Sequence, residues 1–126
     1  SNKLLDGLEN LKTLNEQTVF SHYSNGIFIN AVAEKKNIMD SNFFYAQNLN
    51  ERYKDSQTLF YTRDIELAQE IIKKYNIEYV LITKDMKSDL VWQKDDEGLL
   101  FLLASTKDKF KKLYDNGEVE IWRFRT

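Results

Sequence analysis

The chain has 126 residues, with no cysteine, no proline, four glycines and one histidine. Without cysteine there are no disulfides, no thiolate chemistry and no sulfur-bound zinc. That absence does not locate the protein, because a cysteine-free domain survives in any redox compartment. Without proline, loops must be turned by Gly, Asn and Asp. No apolar run approaches the roughly 20 residues that span a bilayer, and no signal peptide is visible. An excess of one charge is missing too. The 18 Lys and Arg against 20 Asp and Glu leave a net −2, so nothing suggests a nucleic-acid partner read by a broad basic face.

What is present is an ordinary globular mixture, 42% hydrophobic and 30% charged. The length suits one α/β domain over residues 1–126 with a single core. The organising stretch is 62–84. Asp64 is placed to cap a helix, with Glu66 in its first turn. Ile65, Ala68, Ile71, Ile72 and Tyr75 recur on one helical face. Lys73 and Lys74 suit the negative end of the dipole, and Asn76 stands where a left-handed residue commonly ends a helix. Residues 77–83 then read as a strand buried on both faces. A helix feeding a buried strand implies an α/β core.

The remaining segments are arranged around that unit. Residues 1–2 read as a tag scar. Leu4, Leu5, Leu8, Leu11 and Leu14 form an apolar stripe, predicting a helix over 3–14, docked on the sheet or continuing from an upstream membrane segment. Gly7 inside it weakens the helix by about 1 kcal/mol against Ala. Residues 18–22 and 37–40 read as short strands joined by a helix over 27–35, a parallel crossover expected to be right-handed. Tyr45, Leu49 and Tyr53 predict a helix near 44–54. A short helix capped by Asp85 is expected over 85–92, and another over 96–104 behind Asp95-Asp96-Glu97, with a strand as the alternative. Asn116-Gly117 between two strand-like runs predicts a hairpin with a type I′ turn. Asp115 and Glu118 then face each other as like charges. Val119 and Ile121 share one face of the last strand, Trp122 and Phe124 the other. Either both faces are covered or a bulge lies near Trp122. The expected fold is a mixed sheet of about five strands, three parallel plus the antiparallel hairpin, with helices on both faces.

Candidate chemistry gathers at the strand ends. His22 closes the first predicted strand and Asp40 the second, while Thr83, Lys84 and Asp85 close the third. Open α/β sheets bind ligands outside those ends, near a switch in strand order. Tyr23, Asn25, Asn42 and Arg63 are neighbours there. The ligand-binding candidates are therefore His22, Tyr23, Asn25, Asp40, Asn42 and Lys84. No catalytic residue is assigned: Ser21, His22 and Asp40 cannot form a triad, because adjacent strand residues point to opposite faces. Asp40, Asp55, Asp85 and Asp89 show no spacing that demands a metal, and no cofactor is expected. The 24–27 turn lacks both GxGxxG and GxxxxGK[ST], so no nucleotide motif is present. Trp92 and Trp122 suit either sugar stacking or a core.

The order of several small motifs resembles a known family. They are His22-Tyr23-Ser24-Asn25-Gly26-Ile27, then Glu34-Lys35-Lys36-Asn37-Ile38-Met39-Asp40. Lys74-Tyr75-Asn76-Ile77-Glu78-Tyr79-Val80-Leu81-Ile82 follows, and last comes the hairpin from Leu113 to Arg123. Together they resemble the part that follows the last membrane span in archaeal-type multi-span, polyprenyl-phosphate-dependent glycosyltransferases. More distantly, they resemble the archaeal oligosaccharyltransferase catalytic subunit. In that subunit the first turn carries a Trp-Trp-Asp-Tyr-Gly motif that recognises the acceptor. Here Tyr23 and Gly26 are the remnants of it, and both Trp and the Asp are missing. The resemblance implies an extracytoplasmic soluble domain beside an upstream transmembrane portion, in contact with lipid-linked sugar or acceptor and not catalytic alone. The alternative is a free-standing small α/β enzyme or ligand-binding module using the strand-end cluster.

Overall fold

The computed structural model describes residues 2–14, 18–22, 25, 29, 33–37 and 49–125. Helix α1 (Asn2–Lys12) leads into strands β1 (Thr18–Phe20) and β2 (Lys36–Asn37). Helices α2 (Leu49–Tyr61) and α3 (Ile65–Lys74) follow, then β3 (Tyr79–Thr83), α4 (Gly98–Ser105), β4 (Phe110–Asp115) and β5 (Val119–Phe124). The five strands form one mixed sheet in the order β2-β1-β3-β5-β4. β1 runs parallel to both β2 and β3, while β5 is antiparallel to β3 and β4. The expected α/β class and closing hairpin are thus observed.

Strand alternation divides the core in two. Phe20, Val80, Ile82 and Phe124 face a large cluster built with α2, α3 and α4. Val19, Tyr79, Leu81, Val119 and Ile121 face the other side, where Leu8 and Leu11 of α1 pack with Ile29 and Ala33. All five residues of β3 are buried, as a central strand covered on both faces must be.

The organising unit folds as its residues dictate. Asp64 accepts from the N–H groups of Glu66 (3.0 Å) and Leu67 (3.4 Å), satisfying two of the orphan donors of α3. Ala68, Ile71 and Ile72 are buried, and Asn76 ends the element with φ 53. Lys74 ties α3 to α2 through Asp55 (2.8 Å), which also accepts from the Tyr75 hydroxyl.

Four expectations require correction. The helix expected near 44–54 is seen as α2 at Leu49–Tyr61. Its buried residues are Ser56, Leu59 and Phe60, whereas Tyr53 is exposed. Packing on the sheet, not the tyrosine spacing, sets its extent. Asp85 caps no helix: it is itself helical and makes no capping bond. Met86–Leu90 is an irregular turn, with Ser88 and Asp89 outside helical geometry. The hairpin turn is not type I′, since Gly117 has φ 92 but Asn116 does not take positive φ. Instead the Asn116 side-chain oxygen accepts from the N–H groups of Glu118 (3.1 Å) and Val119 (2.9 Å), an Asx-type closure. Asp115 consequently lies opposite Glu120, not Glu118. The bulge falls between Lys112 and Tyr114, on the strand that faces Trp122. The expected helix over 27–35 and most of the strand over 37–40 lie outside the described residues.

Candidate functional site

Strand β1 has a parallel neighbour on each side, so the chain leaves it in one direction and returns on the other. The carboxyl ends of β1 and β3 flank the point where strand order reverses, which is where open α/β sheets leave a crevice. An open cleft of about 390 Å³ is found there, lined by Leu4, Asn25, Thr83, Lys84, Asp85 and Glu118.

Backbone-directed bonds hold its walls. The buried Ser21 hydroxyl donates to the Leu81 carbonyl (2.8 Å) and accepts from the Asn25 side-chain amide (3.0 Å). The Asn25 N–H donates to the His22 carbonyl (2.9 Å), closing the turn after β1. Across the cleft, the Thr83 hydroxyl accepts from the Met86 N–H (3.3 Å), and Met86 is fully buried beneath. The Lys84 N–H donates to the Glu118 carbonyl (2.8 Å), so the β3–β5 pairing carries Glu118 to the rim. Burial of the His22 imidazole lowers its pKa from the ordinary value, which favours the neutral ring at pH 7.

The structure brings Asn25 and Lys84 together at one cleft. β1 ends at Phe20, so His22 lies two residues beyond the strand it was expected to close and is not among the cleft's lining residues. Tyr23, Asp40 and Asn42 lie outside the described residues. Arg63 is not part of the group, because its guanidinium lies 3.7 Å over the Phe101 ring on the α4 side. Trp92 belongs to the core: it is fully buried and its Nε1–H donates to the Phe60 carbonyl (2.8 Å). Leu4 and Glu118 were not foreseen as lining. They arrive from α1 and β5, and no local pattern marks which distant elements flank a strand end. Among the described residues, no three His, Asp or Glu side chains converge as a metal site requires. An ammonium, two carboxylates, an amide and a hydroxyl beside one leucine suit hydrogen-bonded capture of a polar ligand.

These features define an open α/β sheet domain with a polar crevice at its strand switch. No protein-family model matches the chain, and no curated protein does. Among solved structures it is similar to the C-terminal globular domain of an oligosaccharyltransferase from Archaeoglobus fulgidus. That match has a TM-score of 0.73 at 17% identity and covers 99% of this chain and 98% of the other. A second C-terminal globular domain of oligosaccharyltransferase from that organism matches at TM-score 0.57 and 15% identity, covering 98% of this chain and 93% of the other. The chain also matches the A. fulgidus oligosaccharyltransferase tethered to an acceptor peptide containing the NVT sequon. There the TM-score is 0.55 at 17% identity, covering 69% of this chain and 14% of that protein. At these identities the likeness is one of fold. Among the described residues, no helix is long and apolar enough to cross a membrane.

Proposed function

We propose that this chain is the outer, extracytoplasmic domain of a membrane glycosyltransferase of the oligosaccharyltransferase kind. In this reading it supports or presents substrate beside a membrane portion that performs the transfer from a polyprenyl-phosphate donor, and it is not catalytic alone. The observation that carries the reading is a likeness of fold spanning nearly all of both chains. The cleft at the ends of β1 and β3 supports it by offering polar groups to an extended substrate such as an acceptor chain. The neighbour determined with a tethered acceptor peptide makes that substrate class the first to test.

The test is transfer by the full-length gene product in native membranes, with lipid-linked sugar and an acceptor peptide. Lys84→Ala is expected to lower transfer while leaving the melting of residues 1–126 unchanged. Residues 1–126 alone are expected to show no transfer. Turnover by the isolated chain would favour the free-standing enzyme instead. A gene without upstream apolar spans would overturn the proposal.

A further inference from the structure

A second concavity lies between α4 and the β4–β5 hairpin. Phe110 and Phe124 pair beside Glu78, at the start of β3, whereas the polar cleft stands at its end. The hollow is about 520 Å³, with Leu103, Phe110 and Trp122 among its walls. Lys107, Lys111, Lys112 and Arg125 complete the lining, without any carboxylate. This concentration of positive charge occurs in a chain of net charge −2.

The cations are not equivalent. Lys112 is engaged by Asp115 (3.0 Å) and Glu120 (3.8 Å). Glu120 is satisfied in turn by Lys87 and by the Trp122 Nε1–H (3.1 Å). Those bonds hold the indole in place, with the Lys112 ammonium 5.2 Å from its ring centroid. Lys107, Lys111 and Arg125 have no carboxylate partner among the described residues. Asp95 and Glu120 line the adjoining hollow that shares Leu103, Lys112 and Trp122. The attraction for an anion therefore rests on Lys107, Lys111 and Arg125, which raise its local concentration at their end of the groove. Guanidinium and ammonium groups bind phosphate oxygens through charge-assisted hydrogen bonds. A half-buried indole fixed beside them offers a face for the C–H surface of a ring or polyol.

We propose that this groove is a second binding site, distinct from the strand-end cleft, for a phosphate ester of a sugar or polyol. Lys107, Lys111 and Arg125 receive the phosphate, and the body of the ligand lies against Trp122. The inference does not rest on the glycosyltransferase reading. A soluble sugar phosphate and a phospholipid headgroup share this chemistry, and the test separates them.

Residues 1–126 are titrated with glucose 6-phosphate, with glucose as control, by isothermal titration calorimetry. They are also sedimented with phosphatidylcholine vesicles with and without phosphatidylglycerol. Binding to the sugar phosphate supports the soluble source, and binding only to the anionic vesicles supports the headgroup. In either case Lys107→Gln/Lys111→Gln/Arg125→Gln should weaken binding by about tenfold or more, as loss of charge-assisted contacts requires. Trp122→Phe should weaken it less. A control with the same change in charge, Lys54→Gln/Lys73→Gln/Lys94→Gln, should bind as wild type. The proposal is overturned by no binding to any probe at low salt. It is equally overturned if the groove variant binds as wild type, or if the control triple loses as much.

Discussion

Gly7 is a glycine in the middle of a helix, where elementary propensity disfavours it. A Cβ built on it would stand 2.6 Å from Val119 Cγ1, which explains its presence. Two effects oppose each other in Gly7→Ala: helix propensity gains about 1 kcal/mol, while overpacking a core contact costs about 1–3 kcal/mol. Val119 is 1% exposed and enclosed by the α1 side of the core, so it has little room to yield. The variant is expected to melt lower than wild type despite the better helix former. Adding Val119→Ala should return part of the loss, whereas purely additive penalties would place the helix elsewhere. His22 gives a residue-scale test by pH. Burial holds the folded imidazole below the ordinary 6.5, while the unfolded chain takes up its proton near that value. The stability contributed by the neutral ring is therefore present above about pH 6.5 and is lost as pH falls below it. As the sole histidine its ring signals are unambiguous in NMR, and the midpoint should lie below 6.5. A midpoint at or above 6.5 would mean that the ring is solvated or paired with an acid.

The closing hairpin shows how an element can be legible while its turn is not. Asn116-Gly117 marks the hairpin, yet the two-residue turn it suggests is replaced by an Asx closure, with Asp115 Oδ1 also accepting from the Gly117 N–H (2.9 Å). The Gly117 N–H first, and then Lys112, hold the Asp115 carboxyl below the usual carboxylate range. Its contribution is thus present above the unfolded value of about 3.9 and fades as pH falls through it. Like-charge repulsion with Glu118 would make Asp115→Lys neutral or stabilising. The observed bonds reverse that sign. The variant should lose about 0.5–1.5 kcal/mol, the net worth of a typical hydrogen bond, when measured by urea melts at pH 7. Gly117→Val should cost about 1–3 kcal/mol from backbone strain alone, because its φ is 92 and a Cβ there would meet only Lys3 Nζ at 3.8 Å. An unchanged melt for Gly117→Val would show that the turn relaxes freely. Elsewhere, legibility followed the range of the interaction. Asp64, the Ile71 and Ile72 face and Asn76 signal through neighbours within a turn or two, so α3 was read nearly to the residue. α2 was displaced because Leu59 and Phe60, not Tyr53, meet the core. The position of β5 beside β3, which brings Glu118 to the cleft, depends on pairing across some forty residues and left no local trace. The groove beside Trp122 was missed for the same reason, since Lys107 and Arg125 meet only after the hairpin folds.

At the scale of the whole molecule, one sheet separates two apolar layers of unequal size. The larger joins α2, α3 and α4 to one face, and the smaller joins α1 to the other. Leu4 of α1 also lines the cleft, so the helix that covers the small layer shapes the candidate site. The two layers share β3 and β5, whose residues alternate between them, and disturbance of one must be felt through the strands by the other. Both tryptophans report on the large layer: Trp92 lies within it and Trp122 packs against it. Leu11 is fully buried on the opposite side. Leu11→Ala should cost about 2–5 kcal/mol, the range for a leucine cavity that cannot collapse. If the molecule unfolds as one unit, tryptophan fluorescence and far-ultraviolet circular dichroism should shift together to lower urea with superimposable midpoints. Should the dichroism transition move while the tryptophan transition stays in place, α1 and its layer would be a separately opening unit. The cleft would then lose its Leu4 wall in a state that leaves the rest of the sheet folded, and a substrate bound there would stabilise α1 in particular.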